Sequence, residues 1–311
     1  MTTPDRHSRS GVLHFGQTQG GCSMMTIVAE KKFSMINIDA LSKPAEILVE
    51  RISDAVGGVF RPYQIRRVAK AEAEARIILT RGQIRSTELE RRALHRFLNE
   101  EVVRQENIEK ITAKAIPRLS EEAKPEEIQR DWLTDFFDKS RLISDEEMQD
   151  FWARILAGET NAPGSFSKRT VHAVAALDKS DATIFSQLCN FTVRIGDMDV
   201  PLVLDRDNII YKNAGLKFAR LKHLDAIGLI SFDNTGYRIQ EFPQPLVASY
   251  HDARITLTSS EGGVRDLNIG DCVFTKTGEE LSRICGTQKV PNFAEHMIER
   301  WKAAGLVPSM N

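Results

Sequence analysis

The chain has 311 residues, of which 41% are hydrophobic and 27% charged, and its formal net charge at pH 7 is −1. This composition is that of an ordinary globular protein and excludes the disordered and fibrous classes. A near-neutral balance also argues against a protein that coats long nucleic acids by counterion release. The four cysteines lack CxxC spacing, which favours buried thiols in a cytoplasmic protein over a secreted disulfide framework.

Residues 1–38 are predicted to be a disordered leader. They are rich in Ser, Gly, Gln and Thr and lack the continuous apolar centre of a secretory signal. No run along the chain has the roughly 18 apolar residues that a membrane-crossing helix needs, so no transmembrane segment is expected.

Residues 39–120 are predicted to form a helical stalk or hairpin. Apolar residues about four apart predict a helix from Leu41 to Phe60, and similar patterns predict helices over 64–80 and 87–116. Such apolar stripes pack against other helices, so self-association or binding of a partner protein is expected through residues 40–120.

Charge is distributed unevenly around the end of this stalk. Residues 61–118 contain 14 Lys or Arg and 8 Asp or Glu, whereas residues 119–151 contain 4 and 11. Opposite charges favour packing of the two segments side by side, within one chain or between chains. The alternative is that both segments present solvated faces, since exposed ion pairs contribute little to stability.

Residues 121–190 are predicted to form a central bundle of short helices. Bulky aromatic residues recur at helical spacing in two neighbouring segments, so two aromatic faces are expected to pack together. Ser144 and Glu147 fit a capping box that starts a helix at Asp145, and Gly158 is expected to end it.

Residues 191–311 are predicted to form an α+β part. Alternating apolar residues predict a hairpin over 191–204, and a helix is predicted from Leu216 to Ile227. Two short strands around Asn234-Thr-Gly236 are expected to follow, and a helix followed directly by a hairpin is the order of a winged-helix module. The predicted fold class is α+β, mainly α, with an N-terminal helical stalk, a central helical bundle and a C-terminal winged-helix-like part.

Five segments resemble one bacterial family. They are WARILAGE at 152–159, PGSFSKRT at 163–170, VGGVFRPYQIRR at 56–67, ISDEEM at 143–148 and FTKTGEEL at 274–281. From about residue 40 to residue 286 the chain is thus similar to the uncharacterised family called domain of unknown function 2806. The resemblance implies a bacterial origin and an association with mobile or defence-related genes, and it carries over no catalytic or ligand-binding residue.

The polar residues of the first two segments form a candidate ligand or anion site. They are Arg154, Glu159, Ser165, Ser167, Lys168 and Arg169. Lys168 and Arg169 are expected in the first turn of a helix capped by Ser165 or Ser167, where two cations and free backbone amides suit a phosphate. The alternative is structural, because apolar periodicity explains most of the segment as core, cap and turn.

Two further groups of residues are candidate sites in the C-terminal part. Carboxylates that flank one predicted strand suit a Mg²⁺ site. They are Asp197, Asp199, Asp205 and Asp207. The alternative is structural, because aspartate is equally common in tight turns. Cationic residues on or near the predicted helix at 216–227 suit contacts with DNA phosphates and base edges. They are Lys212, Lys217, Arg220, Lys222 and His223. The alternative is that this helix serves only for packing or dimerisation.

The chain contains no P-loop, GxSxG, HExxH or zinc-ligand motif, so no cofactor is predicted and catalysis has no support in the sequence. The expected function is a non-enzymatic interaction or sensor protein of phage defence or stress response that acts through oligomeric helical contacts. The alternatives are a winged-helix DNA-binding regulator and a metal-dependent nuclease.

Overall fold

The computed structural model describes residues 41–57, 87–259, 263 and 266–310. The predicted leader at 1–38 and the predicted helix over 64–80 lie outside the described residues. The fold class is α+β with helix predominating, as predicted. The described residues all belong to one compact unit, and the predicted internal boundaries at 120 and 190 stay predictions. Over these ranges, no helix combines the length and the apolar character needed to cross a membrane.

Six α-helices precede the first strand in the described part of the chain: α1 (Lys43–Val56), α2 (Glu88–Ala115), α3 (Arg130–Ser140), α4 (Glu146–Asn161), α5 (Lys168–Ala175) and α6 (Lys179–Cys189). The long helix α2 packs along α4, while α1 and α5 both pack on α3. This arrangement is a helical bundle with α3 and α4 at its centre.

The basic and acidic segments of the sequence meet where α2 lies beside α4. Nη2 of Arg118 lies 2.6 Å from Oδ1 of Asp150, and Nζ of Lys114 donates to the carbonyl oxygen of Glu146 at 2.8 Å. The packing predicted from charge is therefore present within one chain, although such exposed pairs add little stability.

The ends of α4 differ from the predicted ones. Asp145, not Ser144, is the N-cap, and its Oδ1 accepts hydrogen bonds from the backbone amides of Glu147 and Met148, both at 3.0 Å. The helix also continues through Gly158, so the predicted stop there is wrong. An aspartate is as good a cap as serine and adds a charge that favours the helix start, which explains the shift by one residue.

The predicted aromatic faces of α3 and α4 pack together. The ring centroids of Trp132 and Phe136 are 5.1 Å apart, and those of Phe136 and Trp152 are also 5.1 Å apart, edge to face. Phe136 and Trp152 are completely buried. The large rings of the bundle therefore form its core and do not line an open cavity.

The rest of the chain mixes strands with short helices: β1 (Thr192–Ile195), β2 (Met198–Pro201), α7 (Ile209–Asn213), α8 (Phe218–Ala226), β3 (Ile230–Ile239), β4 (Leu246–Tyr250), β5 (Ala253–Ser259), β6 (Leu267–Phe274), α9 (Lys276–Ser282), α10 (Phe293–Ala303) and β7 (Leu306–Met310). One antiparallel sheet has the strand order β2-β1-β4-β5-β7, and β3 pairs with β6 in a second. The hairpin predicted over 191–204 is β1–β2, and α8 confirms the helix predicted over 216–227.

The two short strands predicted around Asn234-Thr-Gly236 are wrong. Residues 230–239 form the single strand β3, which pairs antiparallel with β6 from Ile230 opposite Phe274 to Ile239 opposite Leu267. The pairing has register shifts between Phe232 and Tyr237, and Gly236 has a φ of 75°. The turn-forming residues therefore make an irregularity within one strand instead of reversing the chain.

Candidate functional site

Glu159 fixes the loop between α4 and α5. Its Oε1 accepts a hydrogen bond from the amide of Gly164 at 2.7 Å, and its Oε2 accepts one from the amide of Phe166 at 2.9 Å. The side chain is buried, and this burial raises the pKa of Glu159 while the amides that donate to it act in the opposite direction. Both carboxylate oxygens of Glu159 are thus hydrogen-bonded to backbone amides of the protein itself.

Glu280 of α9 occupies the N-terminus of α5. Its Oε2 accepts hydrogen bonds from the amide of Ser167 at 2.8 Å and from the hydroxyl of Thr170 at 2.6 Å. Ser167 caps α5, as predicted, by accepting a hydrogen bond from the amide of Thr170 at 3.3 Å. A negative charge is favourable at a helix start. The position predicted for a phosphate therefore holds a carboxylate supplied by the chain itself.

The other residues of the predicted anion site lie at the surface beside this arrangement. Lys168 and Arg169 are exposed and have no side-chain partner among the described residues. The hydroxyl of Ser165 donates to the carbonyl oxygen of Ala162 at 2.6 Å. Binding of a ligand by this loop stays a prediction.

Arg154 links α4 to the turn that follows α9. Its Nε donates to Oδ2 of Asp150 at 3.0 Å, and its Nη1 donates to the carbonyl oxygen of Ile284 at 3.2 Å. Arg154 and Glu159 belong to the same short sequence segment, but their side chains bind different parts of the chain. Arg154 ties the bundle to the turn after α9, whereas Glu159 holds the loop that directly follows its own helix.

Two glycines of the family segments permit close packing in the same region. A Cβ atom on Gly158 would lie 2.7 Å from Cε2 of Phe166, and one on Gly278 would overlap the carbonyl oxygen of Leu229. Larger residues are therefore excluded at both positions by their surroundings. Together with Glu159 and Glu280, these glycines make the family segments a structural joint between the bundle and the α+β part, and this joint is called the signature joint below.

The aspartates proposed as metal ligands are spread around α7 and the β1–β2 hairpin. Three of them have cationic partners: Asp199 lies 3.2 Å from Arg194, Asp207 lies 3.4 Å from Lys212, and Asp205 lies 4.0 Å from Arg300. Asp197 is in the exposed turn between β1 and β2. Within the described ranges, no three His, Cys, Asp or Glu side chains come close enough to hold a metal ion, so the geometry offers the nuclease hypothesis no support.

Three of the five residues predicted to contact nucleic acid lie at the start and on the outer face of α8, whereas Lys212 lies 3.4 Å from Asp207 and Nε2 of His223 lies 2.7 Å from Oδ1 of the buried Asp181. Lys217, Arg220 and Lys222 are exposed, whereas Leu221 and Leu224 are buried, as predicted. Lys222 lies 2.6 Å from Asp225, and Arg220 donates to Gln187 at 3.3 Å. Lys217 has no side-chain partner among the described residues. Two of the three cations are therefore free of any acidic partner in this part of the structure.

Sequence reasoning missed two residues of this surface. Phe218, the first residue of α8, is 48% exposed, and the guanidinium of Arg206 lies 5.8 Å from the centre of its ring. Arg206 also lies 2.7 Å from Asp271. The signal for Phe218 was its place outside the apolar stripe of the helix, since an exposed ring among cations suits stacking and phosphate contacts.

The N-terminal half of α2 exposes an apolar surface. Leu89 is 67% exposed and Phe97 is 55% exposed, although the same helix is buried from Asn107 onward. Phe97 precedes the buried Ile108 by about three helical turns, so both residues point from the same side of the helix. Phe97 therefore lies on the side of α2 that packs on α4 further along, although the same side also carries the charged residues Glu101 and Arg104. Other large exposed residues of this half are Leu98, Val102 and Val103.

These features define a helical bundle joined to a small α+β part, with the signature joint between them. The chain belongs to the family described as "Protein of unknown function (DUF2806)", whose sequence pattern matches residues 91–298. The match confirms the resemblance noted from the sequence segments and runs from near the start of α2 into α10. No curated protein and no solved structure matches the chain.

Proposed function

We propose that this protein acts by association rather than catalysis, and that the N-terminal half of α2 pairs with the same segment of a second copy. The observation that carries the proposal is the exposure, among the described residues, of large apolar side chains along α2 from Leu89 to Val103, with Phe97 near the centre. Exposed apolar surface of this kind marks interaction sites, because its burial against a partner removes it from water.

The charges along this half of α2 favour a second copy as the partner. Residues 88–96 carry three arginines and two glutamates, a balance of +1, whereas residues 100–106 carry three glutamates and one arginine, a balance of −2. In a twofold-symmetric antiparallel pair centred near Phe97, the weakly basic part of each helix lies beside the acidic part of the other.

Replacing Phe97 with Asp tests the pairing, because a charged side chain at the centre of this exposed apolar surface opposes the burial of the surface in a dimer. We expect the dissociation constant of the dimer to rise at least roughly tenfold, about 1.4 kcal/mol, when mass is measured against concentration by analytical ultracentrifugation. The matched control is Leu142→Asp, since Leu142 is 63% exposed but lies outside α2. A wild-type chain that is monomeric at all concentrations, or equal losses in both variants, contradicts the proposal.

The setting we propose is bacterial phage defence or stress response, with the α+β part as the sensor. Its support is the family resemblance alone, which concerns gene context and not the chemistry of a site.

A second candidate function is DNA binding through α8 as the recognition helix of a winged-helix module. The order of the elements supports it, because α6, β1, β2, α7 and α8 precede β3, and β3 pairs antiparallel with β6. In this interpretation the segment between β3 and β6 replaces a simple wing, and its strands β4 and β5 join the larger sheet. The exposed cations and Phe218 on α8 are the observation that favours this function.

The charge-reversed variant Lys217→Glu/Arg220→Glu tests DNA binding. We expect it to weaken binding to duplex DNA at least roughly tenfold and to reduce the salt dependence by about two phosphate contacts. Fluorescence anisotropy of a labelled duplex at several salt concentrations measures both effects. The control is Arg254→Glu/Lys302→Glu, which changes the net charge equally at exposed positions of β5 and α10. Equal losses in the two variants show non-specific attraction and contradict a role for α8.

A further inference from the structure

Two buried cysteines meet next to the signature joint. Cys189 is the last residue of α6, and Cys285 lies in the turn after α9. Both are free thiols, and each perturbs the pKa of the other. The amide of Gln288 donates to Oδ1 of Asn190, the residue after Cys189, at 2.8 Å, so the end of α6 lies against the turn that carries Cys285. The thiol of Cys285 donates to the carbonyl oxygen of Leu281 at 3.3 Å. The two cysteines are 96 positions apart in the sequence and lack CxxC spacing, so the chain pattern alone gives no sign of the pair.

The surroundings make the two thiols unequal. Cys189 is completely buried, and burial raises its pKa well above the ordinary value. The pKa of Cys285 is lowered, first by its hydrogen bond with Cys189 and further by Ser186 and the positive charge of Arg154. Cys285 is 8% exposed and precedes the exposed Gly286. Cys285 is therefore the thiol that lies nearer to solvent and beside the guanidinium of Arg154, which are the surroundings of a reactive thiol.

We propose that Cys189 and Cys285 form a site of reversible oxidation, at which a hydroperoxide converts the two thiols into one disulfide. The Cys285 thiolate attacks a peroxide oxygen, the O–O bond breaks, and the peroxide is reduced as a sulfenic acid forms on Cys285. The sulfur of Cys189 then attacks the sulfenic sulfur, so that the S–S bond forms, the S–O bond breaks and water leaves. The sulfurs lose two electrons in total, and a dithiol reductant returns both thiols.

The bond would tie the end of α6 to the turn that Arg154 already holds. Nη1 of Arg154 donates to the carbonyl oxygen of Ile284, the residue before Cys285, and the same guanidinium lies close to Gly286. Arg154 is therefore a positioning residue for this site, since it fixes the turn and supplies the charge that favours the thiolate.

Cys272 serves as an internal comparison. It is also completely buried, but its thiol donates to the carbonyl oxygen of Pro201 at 3.3 Å. Burial raises the pKa of the Cys272 thiol far above its ordinary value. No other described cysteine is its partner. We expect Cys272 to stay reduced under conditions that oxidise the pair.

The experiment treats the full chain with hydrogen peroxide, blocks remaining thiols with an alkylating agent under denaturing conditions, and maps the peptides by mass spectrometry. The expected result is a cross-linked peptide pair containing Cys189 and Cys285, with the mass lower by two hydrogen atoms, and with Cys272 fully alkylated. Dithiothreitol restores both thiols. Full alkylation of Cys189 and Cys285 after treatment, or cross-links that involve Cys272 instead, would overturn the proposal.

Two variants separate chemistry from packing. In Cys189→Ser, oxidation should stop at a sulfenic acid on Cys285, which dimedone labels. In Arg154→Gln, the pair should still oxidise, with a rate at pH 7 severalfold lower and with its pH midpoint moved upward, since the positive charge is lost. An unchanged pH profile in Arg154→Gln overturns the assigned role of the arginine, and the wild-type peptide map decides the disulfide even where a variant fails to fold.

Discussion

Glu159 and Glu280 show how a buried carboxylate is accommodated in this protein. Removing a charged group from water is costly unless hydrogen bonds replace the lost hydration. Each carboxylate accepts two hydrogen bonds from the segment between α4 and α5 or from the first turn of α5. Their role is therefore to hold backbone in place, and removal of either one leaves donors buried without acceptors.

Replacing Glu280 with Ala should lower the free energy of unfolding by about 3 kcal/mol, because two donors lose a charged acceptor. Urea unfolding followed by circular dichroism measures the change. The neighbouring Glu279→Ala is the control, since the side chain of Glu279 is half-exposed and, among the described residues, pairs only with Lys276 and Arg283. Its loss should cost less than about 1 kcal/mol. Equal effects of the two substitutions contradict the role given to Glu280.

At the scale of single residues, the sequence predicts only what depends on near neighbours. Ser167 was recognised as a helix cap because its partner, Thr170, lies three residues away. Glu280 was not recognised, since its contacts with Ser167 and Thr170 bridge more than a hundred residues. Asp145 replaced Ser144 as cap because adjacent residues of similar capping strength cannot be ranked by pattern alone.

At the scale of elements, periodicity predicted α2, α4 and α8 well. Each has a regular apolar stripe, and this signal is local. The strand β3 was misread as a hairpin, because its true partner β6 is separated from it by β4 and β5. The five-residue helix α7 and the edge strand β7 are too short to give a periodic signal. The exposed half of α2 was also beyond prediction, since a stripe shows an apolar face without showing what covers it.

The helix α9 offers a test of packing against intrinsic preference. Alanine normally stabilises a helix relative to glycine by about 1 kcal/mol. A Cβ atom on Gly278, however, would overlap the carbonyl oxygen of Leu229. Gly278→Ala should therefore lower the thermal midpoint, with a loss of about 1–3 kcal/mol. The control Lys276→Ala, at an exposed position of α9, should be nearly neutral, and a stabilised Gly278→Ala contradicts the close approach.

At the scale of the whole molecule, the signature joint couples the bundle to the α+β part. Glu280 joins α9 to α5, and Arg154 joins α4 to Ile284. Because these contacts are buried or half-buried and involve both parts, we expect one cooperative unfolding transition for them together. Calorimetry should give equal calorimetric and van't Hoff enthalpies for the main transition.

The double variant Glu280→Ala/Arg154→Ala should uncouple the two parts. Its unfolding is expected to broaden or divide into two steps, as bundle and α+β part lose their shared contacts. If the wild-type chain already unfolds in two resolved steps, the signature joint does not couple the unfolding of the bundle to that of the α+β part.

The carboxylate of Glu280 at the start of α5 has a consequence for recombination between relatives. Glu280 and its two hydrogen-bond donors, Ser167 and Thr170, lie on opposite sides of any crossover between residues 171 and 275. Such a crossover takes the acid from one parent and its donors from the other. A chimera assembled from two parents is thus expected to fold well only when the acid and its donors come from the same parent, or when the incoming partner still presents an acid to the amide of Ser167.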